Sequence, residues 1–91
     1  MKFGVYAIRD ARSGFLSPSL EVSDAVARRN FEHAVLATPD SLFYSHPEDY
    51  SFWKVGQFDS DTGALDGFVP PECLDMASDV FHRLKGAEDH A

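Results

Sequence analysis

Hydrophobic residues follow two different spacings in the first part of the chain. In residues 2–9 both alternating sets of positions are largely apolar, which is typical of a strand covered on both faces. Residues 23–38 instead carry apolar side chains at Ala27, Phe31 and Val35, the spacing of one helix face. The pattern therefore predicts a strand followed by a helix whose apolar stripe packs on the sheet.

A second strand, rich in aromatic residues, is predicted over residues 50–58, and the rest of the chain is organised around it. Strict alternation places Tyr50, Phe52, Lys54, Gly56 and Phe58 on one face and Ser51, Trp53, Val55 and Gln57 on the other. A glycine inside a strand is typical of a bulge or of a close backbone approach, so Gly56 predicts one of the two.

The residues after this strand predict a hairpin and a second helix. Residues 59–63 form a DSDTG turn, and residues 64–69 return as a third strand that Pro70 and Pro71 end. Apolar positions at helical spacing then predict a helix over residues 72–85. The last five residues are expected to fray.

These elements predict an α+β fold in one domain, residues 1–91: a small three-stranded antiparallel sheet with helices packed on one face, in the order β-α-β-β-α. Residues 10–22 are predicted to be a loop, because Gly14 and Pro18 interrupt any regular pattern. Phe15 in this loop either tucks against the domain edge or forms the aromatic tip of a basic-edged flap.

Charge is distributed unevenly along the chain. The net charge is −7, from 8 basic and 15 acidic residues. Residues 1–30 have five basic and three acidic side chains, whereas residues 31–91 have three basic and twelve acidic ones. Most of the surface is therefore expected to repel a polyanion, and any nucleic-acid contact must use the N-terminal third or a face that separates it from the acids.

Catalytic and metal-binding patterns are missing from the sequence. The four histidines lack metal-ligand spacing, and the single cysteine, Cys73, has no partner for a disulfide or a zinc site. The DSDTG turn resembles the start of a calcium loop, but the twelfth position is Pro70 where such a loop needs a glutamate. We expect no enzyme activity, no catalytic residue, no metal site and no cofactor.

Aromatic residues supply the one constellation that suggests a binding site. Tyr6 and Trp53 can share a sheet face with neighbouring Tyr50 or Phe52, depending on register, and rings on a sheet stack bases in many single-strand-binding modules. The candidate nucleic-acid-binding residues are Tyr6, Arg9, Arg12, Arg28, Arg29, Tyr50, Trp53 and Lys54. The alternative is that these rings belong to the core or to a dimer interface.

Four stretches of the chain are distinctive: MKFGVYAIRD, an F-x-x-P element at residues 15–18, the helix with Ala27, Arg29, Phe31 and Val35, and SLFYSHPEDYSFWKVGQFDSDTG. Together they resemble the small non-structural proteins of gokushovirus-type microviruses, which are phages with single-stranded DNA genomes. The most specific part is HPEDY followed by V-G-x-F-D and a D-x-T-G turn. The resemblance implies a phage protein that acts in the infected bacterium, with a link to DNA binding or single-stranded DNA synthesis, and it transfers no catalytic residues.

Two functions follow as hypotheses. The first is a non-enzymatic accessory of phage DNA replication that binds single-stranded DNA or a replication protein in the cytoplasm of the host. The second is an acidic protein–protein interaction module, a homodimer that engages a host or phage protein. A membrane partner is not expected, since no apolar run approaches the roughly 20 residues that a span requires.

Overall fold

Five antiparallel strands form one curled sheet, a half-barrel, in the computed structural model, which describes residues 1–85. The strands are β1 (Lys2–Asp10), β2 (Gly14–Phe15), β3 (Ser19–Glu21), β4 (Tyr50–Asp59) and β5 (Leu65–Met76). The helices are α1 (Asp24–Leu36), α2 (Leu42–Ser45) and α3 (Ala77–Val80), with a 3₁₀ turn at Pro47–Asp49 and a π-helical turn at Phe81–Lys85. The predicted fraying of the last five residues concerns positions outside this range.

The predicted α+β fold with a three-stranded sheet in the order β-α-β-β-α is wrong, because strands make up 42% of the structure and form a sheet of five. The expected loop over residues 10–22 contributes the two additional strands. β2 and β3 both pair antiparallel with β1, on the edge opposite β4. The turn into β2 uses Gly14 at a φ of 109°, a conformation that glycine adopts readily. Short strands with polar neighbours show little periodicity, but pairing satisfies the backbone groups along the free edge of β1.

The third predicted strand continues well past the two prolines, so the second helix begins later than predicted. β5 leaves its register with β4 over residues 68–71 and then pairs again, Glu72 with Lys54 and Cys73 with Trp53. The Val69–Pro70 peptide bond is cis. Prolines donate no backbone hydrogen bond and are tolerated at an edge bulge. The segment that was predicted to start a helix at residue 72 is therefore strand until Met76.

The hydrophobic core lies between the sheet and the helices. Its buried members are Tyr6, Ala27, Phe31, Val35, Tyr50, Phe52, Ala77 and Val80. Helix α1 presents its predicted apolar stripe to the sheet, and Ser23 caps it by accepting a hydrogen bond from the backbone N–H of Val26. Phe52 lies at the centre, since its ring stacks on Phe31 at 4.7 Å and on Tyr6 at 5.6 Å between ring centroids.

A bulge in β4 changes which residues share a face. Val5 pairs with Gly56 and Tyr6 pairs with Lys54, so Val55 is an extra residue without a partner on β1. The predicted alternation therefore holds from Tyr50 to Lys54 and reverses beyond the bulge. We call the side with Tyr6, Tyr50 and Phe52 the helix face, and the opposite side the outer face.

The outer face is defined by strand register and extends along the whole sheet. Its positions are Phe3, Val5, Ala7, Arg9, Phe15, Leu20, Ser51, Trp53, Gly56, Phe58, Leu65, Gly67, Cys73 and Met76. The core contacts of α1 and α3 are all made on the helix face. No helix among residues 1–85 has the length and apolar character to cross a bilayer.

Candidate nucleic-acid interface

Acidic residues are absent from the outer face of the described strands. All acidic residues of the five strands occupy helix-face positions: Asp10, Glu21, Asp59, Asp66, Glu72 and Asp75. The outer face instead combines apolar residues, glycines, Ser51, Cys73 and one cation, Arg9. The fold thus keeps the carboxylates of the described strands off one face of the sheet, and a polyanion can approach this face at a lower electrostatic cost than the opposite one.

Three outer-face side chains form what we call the aromatic–arginine patch: Arg9, Phe15 and Trp53. Phe15 is the register partner of Arg9, and its ring meets that of Trp53 edge to face, at 5.9 Å between centroids and 78° between planes. Phe15 is 47% exposed, and Trp53 and Arg9 are partly exposed. Arg9 makes no ion pair with any residue between 1 and 85. The patch offers ring surface and a free positive charge side by side.

The other predicted cations lie away from this patch or have partners of their own. Arg12 sits in the exposed turn between β1 and β2, with its Nε 3.5 Å from a carboxylate oxygen of Asp49. Arg28 and Arg29 lie on α1, where Arg28 donates a hydrogen bond to the carbonyl of Leu74 at 2.7 Å. Of the predicted cations, Arg9 alone occupies a register position on the outer face.

Tyr6 and Lys54 belong to a polar cluster on the helix face. The Tyr6 hydroxyl donates to Asp24 Oδ1 at 2.5 Å, and Lys54 Nζ lies 3.0 Å from the same oxygen and over the Tyr6 ring. Burial and this hydrogen bond raise the pKa of Tyr6, and the contacts of Tyr6 and Lys54 lower the pKa of Asp24. The cluster links β1, β4 and the start of α1. Because Tyr6 is only 1% exposed, its ring is not accessible for stacking with a base.

Tyr50 is also a core residue. It is 5% exposed, and its ring packs edge to face on Phe43 of α2 at 4.7 Å between centroids. Burial, with the neighbouring carboxylates of Asp10 and Asp49, raises the pKa of its hydroxyl. Of the three predicted stacking rings, the structure therefore leaves Trp53 with ring surface on the outer face.

A cavity of about 520 Å³ lies between α1 and the end of β5. Arg83 lines it and donates to both carboxylate oxygens of the buried Asp75, at 2.7 and 3.1 Å. Arg28, which also lines the cavity, donates to the Leu74 carbonyl at 2.7 Å. Both arginines are engaged in bonds that hold α1 and the C-terminal turn to β5, so we assign this cavity a structural role.

Two residues of the outer face, Phe15 and Ser51, contact Trp53 in ways that the sequence did not predict. The sequence left open whether Phe15 packs against the domain edge or forms the tip of a flap. Pairing of β2 with β1 places its ring in contact with that of Trp53. Ser51 was placed on the face of Trp53 by alternation alone, and its hydroxyl accepts a hydrogen bond from the indole N–H at 2.7 Å. Neither contact could be read from spacing, because each depends on register and on side-chain orientation.

The fold and this surface define a small, β-rich protein whose curled antiparallel sheet keeps helices and acids on one face and leaves aromatic residues and an arginine on the other. The chain belongs to the Phage ORF5 protein family, whose model matches residues 3–80, and it is accordingly a bacteriophage protein. The matched range includes β1 except for Lys2, the other four strands and all three α-helices. Neither a curated protein nor a solved structure matches the chain.

Proposed function

We propose that this protein binds single-stranded DNA through the aromatic–arginine patch, as a non-enzymatic accessory of phage DNA replication in the cytoplasm of the infected bacterium. The source we propose is a gokushovirus-type microvirus, on the sequence resemblance described above. The observation that carries the binding proposal is the segregation of charge, since every acidic residue of the strands faces away from Arg9, Phe15 and Trp53.

The chemistry of the patch favours unpaired bases over a duplex. Stacking of a base on an aromatic side chain contributes about 1–3 kcal/mol and needs a base that is not already stacked in a helix. Duplex binding depends instead on many phosphate contacts, and the outer-face positions hold one cation, Arg9. The proposed ligand is therefore a short run of single-stranded DNA with bases on the rings and a phosphate at Arg9.

Replacement of Trp53 by alanine is expected to weaken the binding of a labelled single-stranded oligonucleotide by about five- to 150-fold, the equivalent of one lost base stack. Arg9→Ala is expected to weaken it and to lower the slope of log Kd against log salt by about 0.7, the loss of one phosphate contact. Fluorescence anisotropy of the oligonucleotide measures both. Trp53 is the only tryptophan, so its own emission should be quenched when wild-type protein binds.

The matched control for Arg9→Ala is Arg29→Ala. Arg29 is an exposed arginine on α1 whose guanidinium contacts the side chain of Asn30, and its loss changes the net charge by the same amount. The control is expected to bind as wild type does. Equal losses from both arginine variants would mean diffuse electrostatic attraction, and no binding by wild type at low salt would refute the proposal.

As a second candidate function, we propose homodimerisation through a distal apolar patch on the outer face, formed by Val5, Pro18, Leu20, Phe58 and Leu65. These residues line a cavity of about 290 Å³, and Leu20 and Leu65 are 46% and 68% exposed. The proposed occupant is a second copy of the chain. Val69 lies four residues beyond Leu65, on the bulge of β5, and is 97% exposed. In the proposed two-fold dimer, the Val69 side chain of each copy packs into the cavity of the other copy.

Leu65→Glu is expected to convert a dimer into a monomer, because it places a charge in the proposed contact. Light scattering over a micromolar concentration series measures the mass. Leu42→Glu is the control, since Leu42 is 61% exposed on α2 at a distance from the patch, and it should remain dimeric. A wild-type protein that is monomeric throughout the series would contradict this candidate and leave the DNA-binding proposal unaffected.

A further inference from the structure

The indole of Trp53 is held in place by contacts on two sides. Its N–H donates to Ser51 Oγ at 2.7 Å, from a neighbour two residues away on the same face of β4. The ring of Phe15 packs against it edge to face. Ser51 is itself only 7% exposed. It is paired with Arg9 of β1 on one side and with Met76 of β5 on the other, so strand pairing on both sides restrains its backbone.

Restricting a ring in this way matters for stacking. A tryptophan on an open sheet face can rotate about two side-chain bonds, and a base that stacks on it must stop that rotation. A ring already held in one orientation loses less entropy on binding. The Ser51 hydroxyl fixes the position of the indole N–H through a hydrogen bond, which the edge-to-face contact with Phe15 does not.

We propose that Ser51 is a positioning residue, which holds the indole of Trp53 in the orientation that receives an unpaired base. This inference rests on the proposed single-stranded DNA binding. Ser51 does not itself contact the DNA in this arrangement. It acts through the hydrogen bond to Trp53, and any side chain that preserves that bond preserves the effect.

The test compares Ser51→Ala with Ser51→Thr, which keeps a hydroxyl and suits a β-strand. Time-resolved anisotropy of Trp53 emission, recorded without DNA, measures the local motion of the indole. Anisotropy of a labelled oligothymidylate measures affinity. Ser51→Ala is expected to increase the local motion and to weaken binding about two- to tenfold, the effect of one hydrogen bond, and Ser51→Thr to restore both.

A double-mutant cycle separates positioning from a general loss of structure. Phenylalanine at position 53 can stack on a base but has no N–H to donate, so in the Trp53→Phe background Ser51→Ala is expected to have no further effect on affinity. An equal loss in both backgrounds would overturn the inference, as would unchanged affinity or unchanged indole motion in Ser51→Ala.

The inference and the proposed function fail in different ways. If wild type does not bind the oligonucleotide, the proposed function is refuted. Increased indole motion in Ser51→Ala would then mean that the hydrogen bond from Trp53 to Ser51 has a structural role alone. If wild type binds and Trp53→Ala weakens binding while Ser51→Ala does not, the site stands and the role of Ser51 is refuted.

Discussion

Gly56→Ala is expected to destabilise the sheet by about 3 kcal/mol, because a methyl group at this position has no space. A Cβ on Gly56 would overlap the backbone carbonyl oxygen of Asp66 on the neighbouring strand. Backbone atoms of a paired strand cannot rotate away as a flexible side chain can, so β4 and β5 must separate locally. The free energy of unfolding, measured by urea denaturation with an unchanged m-value, gives the loss.

The matched control lies directly opposite in the same pair of strands. Gly67 is the register partner of Gly56, and a Cβ built there meets no atom within 4 Å. Neither glycine has a positive φ, so both backbones suit alanine. Gly67→Ala is expected to be neutral or slightly stabilising, through the lower entropy of the unfolded chain. Similar losses at both positions would mean that general strand propensity, rather than the close approach to Asp66, explains Gly56.

Phe52→Ala is expected to cost about 3–5 kcal/mol, the range for removing a buried phenylalanine from a core. Phe52 is 6% exposed and its ring lies between those of Tyr6 and Phe31. Its removal leaves a cavity under α1 and ends two stacked contacts at once. Because small domains have a total stability of only about 5–15 kcal/mol, a large fall in thermal midpoint should follow, measured by circular dichroism.

Two further variants make this expectation specific. Phe52→Leu keeps most of the volume and should cost clearly less than Phe52→Ala. Leu42→Ala removes an aliphatic side chain that is 61% exposed on α2, and a change within about 0.5 kcal/mol is expected. A small loss in Phe52→Ala, comparable to that in Leu42→Ala, would contradict the central place that the structure gives to this ring.

Local patterns were sufficient to predict three of the four long elements of the fold, the exception being β5. The strand β1 was located from a run in which both alternating sets are apolar, β4 from its aromatic alternation, and α1 from the spacing of Ala27, Phe31 and Val35. In each case the pattern lies within the residues of the element itself. The position of a bulge was suggested by Gly56, although its consequence for the faces of β4 was not.

The errors in the fold come from elements that depend on a partner strand. Residues 72–76 have helical spacing when they are combined with the residues that follow, yet they extend β5 because β4 offers them hydrogen-bond partners. β2 and β3 are too short to show a period, and their backbone groups are satisfied by β1. In both cases long-range pairing outweighed local preference, as is common for strands.

The candidate site shows the same division. The sequence by itself determined which side chains were available, a net charge of −7, one tryptophan, and a face of β4 shared by Ser51 and Trp53. Only the tertiary structure decided which of them lie together. Strand register places Tyr6 and Tyr50 in the core and Phe15 in contact with Trp53. It also places all acidic residues of the described strands on the face opposite Arg9. The reason is that side-chain direction in a sheet reverses with every residue, so a single unpaired position such as Val55 redistributes both faces.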